Sequence, residues 1–159
     1  MRKIGCLLGL MALQACTPSA LQVQVHAAND LAVGANSILP ALLHAYRAEG
    51  MQVAQQAPTL TDAQQELERV RRRWHPVWGE CNDTQAGPTH HCHDGAWPIL
   101  VDAQDTWVSI LERQAQGASI DSQTIASAAH LLQVAYCGIQ SALPPGTEVP
   151  PVIRRGCQR

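Results

Sequence analysis

Four stretches of this chain repeat apolar residues at intervals of three and four, and proline or glycine closes each one. That spacing is one face of a 3.6-residue turn, so it commits the chain to amphipathic helices. Leu21, Ala28, Leu31, Ala35, Ile38, Leu42 and Ala45 predict a helix from about Ser19 to Gln56. Pro40 should bend it by removing one backbone bond, and Ala57-Pro58 should end it. A second helix is expected from Thr61, where Thr61-Asp62-Ala63-Gln64 reads as a capping box. Its stripe is Leu67, Val70, Trp74 and Val77, and Pro76 should bend or close it. Arg69, Arg71, Arg72 and Arg73 stand near its carboxyl end, where cations complement the helix dipole.

A third helix is expected from Trp97 to Gln116, with Pro98 in its first turn and Gly117 as its stop. The fourth should run from Ser119 or Asp121 to Leu143, ahead of Pro144-Pro145. The expected fold is all-α: an antiparallel bundle of about four helices over 21–143, then an extended tail over 144–159.

Composition narrows the chemistry. Lys3 is the only lysine, and it lies in the segment read below as removed, which excludes Schiff-base and P-loop lysines from what remains. Eleven basic residues less Arg2 and Lys3 leave nine against thirteen acidic ones, a net charge of −4. Nucleic-acid-binding domains carry a basic excess instead. There is no Phe, and Ala and Gln abound, which favours helices over sheets.

The first sixteen residues are of another kind. Arg2 and Lys3 precede an apolar run, Ile4 to Leu13, that ends in Leu13-Gln14-Ala15-Cys16. Ten helical residues span about 15 Å, half of a hydrocarbon core, too short to cross it. A basic start, a short apolar run and a small residue before the cut fit a secretory signal. The tract resembles the signal peptide of bacterial lipoproteins, whose lipobox ends in an acylated cysteine. The resemblance implies cleavage after residues 1–15, lipid on Cys16, and a tether of 16–20. Thr17 stands where Asp would favour the inner membrane in the enteric version of that family. By the same resemblance, the expected place is the outer membrane, facing the periplasm.

Export gives meaning to the four distal cysteines, Cys81, Cys92, Cys137 and Cys157. An even set in an exported chain reads as two disulfides. Three connectivities exist. Nearest-neighbour pairing, Cys81–Cys92 and Cys137–Cys157, is favoured because each pair brackets turn residues, Gly87-Pro88 and Pro144-Pro145-Gly146. Each closure is worth roughly 3 kcal/mol in the loop-entropy account.

The sharpest chemical cluster is Thr89-His90-His91-Cys92-His93-Asp94, with His75 upstream. His75, His90, His91 and His93 are the residues that would hold zinc or copper. Against this, no C-x₂-C or H-x₃-H spacing exists, and a Cys81–Cys92 bond would remove the thiolates. The bland reading is a stapled interhelical loop with exposed histidines and no cofactor. No G-x-S-x-G occurs, and Asp102, Asp105 and Glu112 read as a solvated helix face, so no catalysis is expected. His44 and His130 fall in helical stripes as core or interface residues. Trp74, Trp78, Trp97 and Trp107 flank the loop and should build the core at that end. Any exposed among Trp74, Trp78 and Trp97, with Arg72 and Arg73, would make a partner-binding patch. The expected function is a membrane-anchored envelope protein that binds a protein partner. The alternative is an envelope metal-binding protein using the His90–Asp94 loop.

Overall fold

Ser19 starts the first helix by capping it. Its hydroxyl accepts the Gln22 N–H at 3.2 Å, while Gln22 Oε1 accepts the Ser19 N–H at 2.8 Å. The helix that follows, α1, runs Ala20–Gln56 without a break through Pro40. At 37 residues it is about 55 Å long. This is a computed structural model, and it describes residues 19–79 and 94–157. The N-terminal tract with Cys16, the His90–His93 cluster, Cys81 and Cys92 lie outside the described residues.

The second helix, α2, runs Leu60–Trp78, and its cap is Thr59, not Thr61. Thr59 Oγ1 accepts the Asp62 N–H at 3.1 Å and donates to Asp62 Oδ2 at 2.6 Å. Pro58 holds Ala57 extended, so the chain reverses within three residues and Thr61 already lies inside the first turn. Gly79, at φ 75°, ends the helix, and Pro76 stays within its last turn. The third helix, α3, runs Ala96–Ala115 and stops before Gly117, at φ 86°. The fourth, α4, runs Ser122–Ala142, capped by Asp121.

The tail is not extended throughout. Pro151–Cys157 form a short fifth helix, α5. The cause is tertiary. Ile153 is fully buried, the Tyr136 hydroxyl donates to the Val152 carbonyl at 3.0 Å, and Cys157 is disulfide-bonded to Cys137 with Cα atoms 5.4 Å apart. Gly156 has to be glycine, because a Cβ there would come within 2.4 Å of the Tyr136 ring.

The helices form a bundle organised along α1. Arg73 and Trp74 of α2 meet Glu49, and Leu67 meets Gly50, so α2 runs antiparallel along the later half of α1. Trp107 Nε1 donates to Asn29 Oδ1 at 2.9 Å, and Gln104 Nε2 donates to the Ala32 carbonyl at 3.0 Å. Thus α3 runs antiparallel along the earlier half. After the Gly117 turn, α4 reverses direction, antiparallel to α3 and parallel to α1.

The core gathers Ala28, Leu31, Ala35, Ile38 and Leu42 of α1 with Val70, Trp74 and Val77 of α2. Leu100, Ala103 and Trp107 of α3 and Leu132, Tyr136 and Ile139 of α4 complete it. No described polar or charged residue is fully buried.

Candidate functional site

The aromatic residues on either side of positions 80–93 build a joint between α1, α2 and the start of α3. Tyr46, Trp74 and Trp78 lie on one side of that joint because 74 and 78 are one turn apart on α2. Trp74 and Trp78 stack with ring centres 6.1 Å apart, and Tyr46 meets Trp74 edge-on at 5.7 Å and Trp78 at 6.2 Å. Such pairs add about 0.5–1.5 kcal/mol each beyond burial. Gly95 seats the start of α3 against the end of α2. A Cβ there would come within 2.4 Å of the Gly79 nitrogen.

At this joint the tryptophans build the core, as their places along the chain led us to expect. Trp74 is fully buried, and its Nε1 donates to Glu49 Oε2 at 2.6 Å. Trp107 is likewise buried on Asn29. Trp78 and Trp97 are half-buried and pack against the core, and the Trp78 Nε1 is buried without an acceptor among the described residues. The four rings serve cohesion, and sequence pattern alone had left open which of them face water.

The arginine run is tied to carboxylates. Arg73 pairs with Glu49, which thereby bridges Arg73 and Trp74. Arg72 Nε lies 3.4 Å from Glu68, and Arg69 lies 2.5 Å from Glu66. Arg72 and Arg69 are solvent-exposed, so each of these two pairs contributes about 0–1 kcal/mol. His75 is exposed on α2. His44 and His130 are exposed too, not core, since their places on α1 and α4 fall just outside the buried stripes.

His90, His91 and His93 lie outside the described residues, and among the described ones no group of three His, Cys, Asp or Glu converges. The concave features are shallow grooves. The one between α1 and α4, about 240 Å³, is lined by Val23, Ala27, Leu31, Ala129, His130 and Gln133. It brings together one histidine and no carboxylate. Among the described residues, one cap carboxylate is clearly perturbed. Hydrogen bonds from the Thr124 hydroxyl and backbone N–H hold the Asp121 carboxyl below its ordinary range. No described helix is long and apolar enough to cross a membrane.

Sequence reasoning missed Glu49. It lies 24 and 25 residues from the side chains it joins, beyond any local pattern. No family model matches the chain, and no curated protein or solved structure is similar to it.

Proposed function

We propose that this protein is a lipid-anchored component of a bacterial cell envelope that acts by binding a protein partner, not by catalysis. The observation that carries the reading is the junction of signal and fold. Ser19 caps α1 with its own side chain and backbone, so the first helix needs no residue upstream of it. Cys16 stands three residues before that cap. A chain cut ahead of Cys16 keeps every contact described above and carries its acyl group at the foot of a long helix. Two or more acyl chains hold a protein firmly to a bilayer, whereas one holds marginally.

The Cys137–Cys157 bond agrees with an oxidising compartment, since cytosolic thiols are kept reduced. The surface offers apolar contact area far from the anchor. Met51, Leu60 and Leu67 are 62, 77 and 43% exposed around the far end of α1 and α2.

The test is fractionation with metabolic acyl labelling of the wild-type chain and Cys16→Ser. The wild type should enter the membrane fraction carrying label, and Cys16→Ser should be unlabelled and released. A Cys16→Ser chain that sediments with membranes as fully as wild type overturns the anchor. Cross-linking in intact envelopes addresses the binding role, which fails if the anchored chain yields no adduct with another protein.

A further inference from the structure

Along its 21 residues α4 has no Asp, Glu, Lys or Arg, and one of its faces is open to solvent. Ser127, Leu131, Val134, Gly138 and Ser141 follow at intervals of four, three, four and three, the spacing of a two-helix seam. Leu131 is 48% and Val134 54% exposed. A Cβ on Gly138 would meet nothing within 4 Å.

At the level of Tyr136, side chains of opposite charge border this face. On one side α3 presents Asp102 and Thr106 on successive turns, and Thr106 lines a shared groove with Leu131. On the other side Cys137 is bonded to Cys157, and Arg154 lies one turn before Cys157 on α5, donating to the Val149 carbonyl at 3.3 Å. Neither Asp102 nor Arg154 forms an ion pair with a described residue. Both stand at the level of Tyr136. The Tyr136 hydroxyl holds the Val152 carbonyl beside Arg154, and Ile110 shares a groove with Ala128, which puts Asp102, eight residues back, level with Tyr136, eight residues on.

We propose that this face is a two-fold interface between two copies of this chain, with their α4 helices side by side and parallel. A two-fold axis along α4 exchanges the edges, so Asp102 of each copy meets Arg154 of the other. An axis across α4 would instead set Asp102 against Asp102, which is repulsive. Along the seam Leu131 and Val134 meet their own counterparts, and Gly138 lets the two backbones approach. No charge is desolvated at the centre, as interface cores require.

The 21-residue helix is about 31 Å long, and with flanking helix axes about 10 Å to either side the face is about 20 Å wide, on the order of 600 Å² per copy. A standard stable interface has about 800 Å² per partner, so the pair exchanges with monomer as concentration falls. Because α1 runs parallel to α4, both Ser19 ends emerge at the same end of the pair. The interface itself does not rest on the anchor.

Sedimentation of the full chain in mild detergent, over a range of concentrations, tests this. The wild type should show a reversible monomer–dimer equilibrium, and Cys16→Ser should show the same one. Val134→Arg should be monomeric with unchanged helical circular dichroism and melting, because the side chain is exposed. Asp102→Arg and Arg154→Asp should each raise the dissociation constant about tenfold, and the double exchange in one chain should return most of that loss. A wild-type chain that is monomeric throughout overturns the proposal. So does a dimer that survives Val134→Arg, a double exchange that recovers nothing, or a dimer seen only when Cys16 is lipidated.

Discussion

Leu42 divides α1 into two lengths of the same helix in different surroundings. Before it, every turn sends a residue into a core shared with α3, α4 and α5, and Ala35, Ile38 and Leu42 are wholly buried. After it, α1 lies along α2, and no residue between Leu42 and Val70 is buried. The body is a several-helix core; the arm is a two-helix hairpin. Both have ordinary helix formers, and the arm's cap is as complete as the body's. The difference lies in the number of neighbours. Two helices cover one face each, and a single face seldom repays the entropy of ordering the chain.

The comparison can be broken most sharply at Trp107. Trp107→Ala should cost about 3–5 kcal/mol in denaturant unfolding, since it empties the body's centre and strands Asn29. Next in size, Cys137→Ser should lower stability by about 3 kcal/mol and detach α5, seen as a drop in melting temperature and new protease cleavage near Pro150. A matched pair then sets the two regions against each other. Leu42→Ala should cost at least about 2 kcal/mol and Leu67→Ala less than about 1 kcal/mol, so equal losses would end the distinction. Removing the arm's cap with Thr59→Ala should cost about 1 kcal/mol, and hydrogen exchange should quicken in Leu60–Glu66 more than in α4.

The smallest effect is at Asp121, whose carboxyl is held low by Thr124. The unfolded chain binds this proton more readily than the folded one. Its contribution is therefore complete above the unfolded pKa and lost as pH falls through the lower folded value. Asp121→Asn should flatten the acid limb of the stability–pH curve and leave the neutral limb parallel to wild type.

The body was legible in the sequence because its stripes obey one period. Leu31, Ile38 and Leu42, or Val70, Trp74 and Val77, are spaced as they are buried. The start of α2 was misread by two residues because Thr59 and Thr61 each have a polar partner three positions on, and the proline ahead of Thr59 decides between them. The fifth helix carried no readable signal. Seven residues are too few for a period, and its place is fixed by Tyr136 and Cys137 from another helix. Most of the candidate site was illegible for the same reason. Which tryptophan faces water depends on Glu49 and Asn29, both far away along the chain.

Pro40 lies two residues before Leu42, on the exposed side of α1. It leaves the Asn36 carbonyl without its usual donor, so the rod loses a rung almost where its bracing ends. A beam loaded at its free end carries its greatest bending moment at the clamp. A force on the Ala57–Thr59 turn therefore bears hardest on the end of the clamp, beside the rung that Pro40 removes.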